Sequence, residues 1–124
     1  MPTASEIREI VHDYIDRMCA GDIDGIMAHF ADDATVEDPV GGQLQRGKEA
    51  VRAFYSFAAP ALQVELQGPI CVAGNQCAFP LLAKLSMNDT VSYLDATDVF
   101  SFDDQGRITS MRAFWSMEEL RNSP

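Results

Sequence analysis

Apolar residues recur at helical spacing through most of the first half of this chain and at strand spacing from residue 62 onward. That switch from a period of 3.6 to a period of two limits the fold more than any other feature. Helices gathered early and strands gathered late give an α+β class rather than an alternating parallel one. With 124 residues the chain is one domain, 1–124, with room for a single core and one enclosed pocket.

The helical part carries its own punctuation. Thr3-x-x-Glu6 forms a capping box, and Ile7, Ile10, Val11, Tyr14 and Met18 follow on one face up to Gly21. Asp22 caps a second helix with Ile23, Ile26, Met27 and Phe30 inward. Ala34, Val36 and Asp38 then alternate with Thr35 and Glu37 as a short strand, which Pro39 and Gly41-Gly42 end. A third helix turns Ala50, Val51 and Phe54 inward, with Tyr55 beside them.

The rest reads as a meander. Leu62, Val64 and Leu66 alternate with polar residues. Gly74-Asn75 and Asn88-Asp89 are turns on either side of a largely apolar run from Cys77 to Met87. Pro80 in that run implies an edge or a bulge. Residues 90–102 and 107–115 form two further strands. The expected architecture is a curved antiparallel sheet closed by three N-terminal helices into a conical barrel with one deep apolar pocket.

Charge and composition exclude several classes of partner. Nine Lys and Arg against nineteen Asp and Glu give a net charge of −10. No basic patch can hold a nucleic acid backbone or an anionic membrane surface. No apolar stretch approaches the ~20 residues of a membrane span, and Met1 to Glu6 lacks the pattern of a signal peptide. Cys19, Cys71 and Cys77 are odd in number and unpaired in spacing. They read as reduced, mostly buried thiols of a cytoplasmic protein. His12 and His29 read as surface residues, and no zinc spacing is present.

Three polar residues interrupt apolar faces. Tyr14 lies in the stripe of the first helix, Asp38 shares a face with Val36, and Asp98 shares one with Leu94, Ala96, Phe100 and Phe102. A tyrosine there is ordinarily core with its hydroxyl at the rim, and an aspartate before proline is ordinarily turn chemistry. An aspartate in mid-strand among aliphatics is harder to explain as structure, because a buried carboxylate must find donors or keep its proton. Asp95, on the opposite face with Tyr93 and Val99, reads as a solvated or interface residue. A carboxylate base with two neutral donors in an apolar pocket fits proton abstraction next to a carbonyl. No Ser/His/Asp set can be assembled.

Tyr14, then Ala20-Gly21-Asp22-Ile23-Asp24-Gly25-Ile26, then Phe30-Ala31-Asp32-Asp33-Ala34-Thr35-Val36-Glu37-Asp38-Pro39-Val40-Gly41 closely resemble the bacterial Δ5-3-ketosteroid isomerases. The similarity continues through Phe54-Tyr55, Gly68-Pro69, Asp98 and Ser110-Met111-Arg112-Ala113-Phe114-Trp115. The shorter Phe-Ala-Asp-Asp-Ala piece is shared across the nuclear-transport-factor-2-like superfamily. The resemblance implies a homodimeric, cofactor-free and metal-free steroid Δ-isomerase acting on a small apolar steroid. Asp38 would carry the proton from C4 to C6, while Tyr14 and Asp98 donate to the C3 oxygen. A carboxylic acid kept neutral at pH 7 for this purpose is a known device of that family. Tyr55 would support Tyr14 and belongs with the substrate-binding set. Phe54, Phe79, Leu81, Leu94, Ala96, Met111 and Trp115 would line the steroid cavity. Phe30 stands where some relatives have a third tyrosine, and the Tyr55–Gly68 segment is shorter than in some. Two other readings remain: a polyketide cyclase or dehydratase of the same fold, or a non-catalytic binding module.

Overall fold

Helix α1 (Ala4–Ala20) starts at the capping box read from the sequence: Thr3 accepts from the Glu6 backbone N–H at 3.1 Å and Glu6 accepts from that of Thr3 at 2.9 Å. It ends at Gly21, whose φ of 68° suits a residue without Cβ. These contacts come from a computed structural model that describes residues 1–124. Ile7, Val11, Tyr14 and Met18 are the buried stripe of α1.

Helix α2 (Ile23–Met27) is shorter than its apolar spacing suggests. Phe30 opens strand β1 (Phe30–Glu37) instead of closing the helix. The spacing from Ile26 to Phe30 is helical, but the Ile108 N–H donates to the His29 carbonyl at 2.7 Å and draws the chain into the sheet. Strand β2 (Leu44–Arg46) folds back on β1. Three residues are too few to show alternation, so the sequence reading missed it. Helix α3 (Lys48–Ala58) buries Val51 and Tyr55, with Ala50 and Phe54 only partly covered. A 3₁₀ turn (Ala59–Ala61) leads into the remaining strands.

These are β3 (Leu62–Leu66), β4 (Cys71–Ala73), β5 (Gln76–Met87), β6 (Thr90–Phe102) and β7 (Ile108–Phe114). The sheet order is β2-β1-β7-β6-β5-β3, with β4 also on β5. The sheet is curved and open, and it is mixed rather than wholly antiparallel: β1 runs parallel to β7, setting Val36 beside Met111. Strands β5 and β6 form a long hairpin from Gln76↔Ser101 to Met87↔Thr90. Asn88 and Asp89 close it at φ 51° and 64°, the left-handed pair that a two-residue hairpin favours. Pro80 sits opposite the break between β3 and β4. Its carbonyl accepts from Gln67 on that side, so its nitrogen faces a gap where the ladder needs no donor.

The core fills one end of the space between helices and sheet, with Ile7, Val11, Ile26, Val51, Phe79, Phe100 and Ile108 among its members. The cysteines depart from expectation: Cys77 is buried, Cys19 half-buried and Cys71 exposed. Burial pushes the Cys77 thiol up to about 11. His12 is exposed, but His29 is largely covered because its ring meets Asp13 at 2.6 Å. No helix is long and apolar enough to cross a membrane.

Candidate active site

At the other end of the core the curved sheet lifts away from α1 and α3 and leaves a cavity of about 490 Å³. That is within the range of pockets that enclose a small organic ligand. Of its 19 lining residues, Asp38 and Asp98 are the only charged ones. Each strong polar group comes from a different element. Tyr14 projects from the inner face of α1. Asp38 follows the end of β1, where Val40 is tethered to the Ala113 carbonyl of β7 at 2.8 Å. Asp98 lies on the inner face of β6, and Trp115 follows the end of β7.

Asp98 is 5% exposed. Burial, and then the negative charge of Asp38, hold its carboxyl well above the usual carboxylate range. With no basic side chain in the wall, it has no counter-charge there to favour ionisation. Asp38 is also raised by burial, but the indole N–H of Trp115 donates to its Oδ1 and opposes the shift. Of the two acids facing the cavity, Asp98 is the more deeply buried and is held further above the usual carboxylate range than Asp38.

The Tyr14 and Tyr55 hydroxyls lie 2.8 Å apart. Burial holds both phenols well above the ordinary tyrosine range, so both carry their protons at neutral pH. Only Tyr14 borders the cavity. When Tyr55 donates to Tyr14, the Tyr14 proton is free to point at a ligand.

Of the residues expected at the site, Tyr14, Asp38, Asp98, Phe54, Leu81, Leu94, Ala96 and Trp115 all border this cavity. Three do not. Tyr55 is fully buried behind Tyr14. Phe79 stands two residues deeper along β5 than Leu81 and packs edge-on to Phe100, with ring centroids 5.1 Å apart. Met111 is 1% exposed and paired between Val36 and Phe100 on neighbouring strands. All three belong to the closed end of the cone, which sidedness alone does not separate from the open end. The sequence reading missed Phe57, Ala83, Leu85 and Met87, which also line the wall. The period-two pattern from Leu81 onward along β5 carries the last three; nothing marks Phe57.

The SnoaL-like domain model matches residues 11–111. The chain belongs to the SnoaL-like family. This SnoaL-like chain is 38% identical over 122 residues to a curated steroid Delta-isomerase of Nocardioides simplex, covering 98% of each. The resemblance carried by the stretch from Tyr14 to Trp115 therefore holds along nearly the whole length. Among solved structures it superposes on SalBIII, described as an epoxide hydrolase/cyclase-like enzyme in pyran ring formation in the polyether salinomycin. The TM-score is 0.93 at 32% identity, covering 99% of this chain and 100% of the other. These relatives of the SnoaL-like domain are enzymes, one an isomerase and one a cyclase-like protein.

Proposed function

We propose that the chain is a steroid Δ-isomerase that moves the C5–C6 double bond of a 3-oxo-Δ5-steroid to C4–C5. The Asp38 carboxylate removes a proton from C4, and the electron pair moves through the carbonyl to make a dienolate. Tyr14 and protonated Asp98 donate to the developing oxyanion. Asp38, now protonated, returns the proton to C6, and the enone forms with no net gain or loss of atoms. No step calls for a cofactor or a metal.

One observation carries this reading: an otherwise apolar cavity brings together two acids, Asp98 more deeply buried than Asp38, with the Tyr14 phenol and the Trp115 indole and no basic side chain. Support also comes from the isomerase relative and from the steroid-sized volume. We further propose a cytoplasmic homodimer, joined through the outer sheet face. Val91 and Phe114 are each 42% exposed there, with Tyr93 and Val99 beside them. Sedimentation at micromolar concentration tests this, and a 13.6 kDa monomer would contradict it.

The test of the reaction is the growth of enone absorbance from 5-androstene-3,17-dione. Wild-type protein is expected to turn it over, and Asp38→Asn to lose at least the ~10²–10⁴ typical of a general base. The close superposition on SalBIII favours a second reading, in which Asp98 protonates an epoxide oxygen and Asp38 activates a hydroxyl for ring closure. No enone formation, together with cyclisation of a hydroxy-epoxide, would select it.

A further inference from the structure

The inner wall of the cavity does not stop where a steroid nucleus ends. It follows the β5–β6 hairpin outward from Asp98, which pairs with Phe79, through Leu81, Ala83 and Leu85 to Met87. From the level of Asp98 to Met87 the hairpin advances eight residue steps, roughly 26 Å of strand at ~3.3 Å per residue. A fused four-ring carbon skeleton spans less than half of that.

Burial falls steadily along the same row: Leu81 is 4% exposed, Ala83 5%, Leu85 is half-buried and Met87 is 49% exposed. Opposite, the end of α3 brings Phe57 to the rim at 78% exposure. Leu62 pairs with Leu85 and continues the row onto β3. Phe57, Leu62, Leu85 and Met87 all line the same cavity, and no polar side chain joins them at this end. Every polar group of the site lies at the deep end.

Exposed apolar side chains that are continuous with a binding cavity mark surface that a ligand covers. Resting on the isomerase reading above, we infer that this collar is a subsite for an alkyl extension on ring D. The substrate class is then a 3-oxo-Δ5-steroid that keeps a hydrocarbon side chain at C17, rather than one oxygenated there. The oxygenated A ring enters first, toward Tyr14 and Asp98. The tail leaves along Leu85, Met87 and Phe57. A hydroxyl or ketone at that end finds no partner among the lining side chains; Ser92 and Thr90, which pair with Leu85 and Met87, do not border the cavity.

Binding tests this without turnover. Trp115 is the sole tryptophan and borders the cavity, so its fluorescence reports occupancy. The probes are androst-4-en-3-one and its 17β-ethyl and 17β-pentyl homologues. A fully buried methylene is worth about fourfold in affinity, and less at a half-open rim. The Kd is expected to fall from the unsubstituted steroid to the pentyl homologue by at least about tenfold. In Phe57→Ser/Met87→Ser the same ratio should shrink to about twofold, and in Phe57→Ala alone it should shrink part-way. A Kd that stays flat or rises along the wild-type series overturns the subsite. So does a full gain retained in both variants. Turnover of the matching Δ5 compounds is read separately: tight, chain-dependent binding with no enone formation removes the isomerase reading and leaves the subsite standing.

Discussion

The indole N–H of Trp115 donates to the carboxylate of Asp38, joining the residue after β7 to the residue after β1. The parallel pairing of β1 with β7 brings these two strand ends to one place. The bond favours the ionised form of the carboxylate and opposes the upward push of burial. On the isomerase reading proposed above, this bond helps Asp38 act as the base.

Trp115→Phe should raise the pKa of Asp38 further. The acid limb of the kcat/KM profile on 5-androstene-3,17-dione should move to higher pH. Activity should fall at least about tenfold on the acid side and much less near pH 8, since a hydrogen bond to a charged group is worth ~1.5–3 kcal/mol. An unchanged acid limb would show that the indole does not govern Asp38.

Tyr14→Phe and Tyr55→Phe should differ in size. Tyr14 borders the cavity and Tyr55 lies behind it, 2.8 Å from its hydroxyl. Loss of one oxyanion donor costs roughly 10²–10³ in kcat. Tyr55→Phe should cost far less, because Tyr14 keeps its own proton. Steady-state kinetics of the two variants decide, and equal losses would reverse the order of the two tyrosines.

Asp98 should be protonated at pH 7. Its folded pKa is raised by burial and by Asp38, so the native state holds a proton that the unfolded chain has released above pH ~3.9. The stability this group confers is full below that pH. It is lost as pH rises toward the folded pKa, at ~1.4 kcal/mol per unit. Asp98→Leu should therefore gain stability on wild type between pH 4 and pH 8 in urea titrations, while losing more activity than Asp98→Asn. Carbon-13 NMR of labelled aspartates gives the direct reading. An Asp98 signal titrating below pH 6 in the free protein would end the neutral-donor role.

Phe79→Ala should act on stability. The ring is fully buried against Phe100, whose own ring lies 5.0 Å from that of Tyr14. Its removal should cost ~3–5 kcal/mol, read from the denaturation midpoint. A loss under about 1 kcal/mol would mean that Phe79 faces open space instead.

Local sequence determines a good deal of this protein. The capping box at Thr3, the stop at Gly21, the stripe from Ile7 to Met18 and the alternation around Asp98 all depend on neighbours within a turn or a strand. Periodicity and capping record such relations directly. The three polar interruptions, Tyr14, Asp38 and Asp98, were legible for the same reason: each breaks a local pattern.

Other features depend on contacts between residues far apart in the chain. The assignment of Phe30 to a strand depends on a bond from Ile108 to the carbonyl of His29, and the parallel pairing of β1 depends on β7. Depth along a shared face is also absent from the pattern. Phe79 and Leu81 have the same sidedness on β5 and both pack in the core, yet only Leu81 also borders the cavity. Trp115 reads as a cavity residue in the sequence, and only the meeting of two strand ends makes it the partner of Asp38. A period of two tells which face a side chain is on; how far the opposite layer stands from that face is decided by the tertiary structure alone.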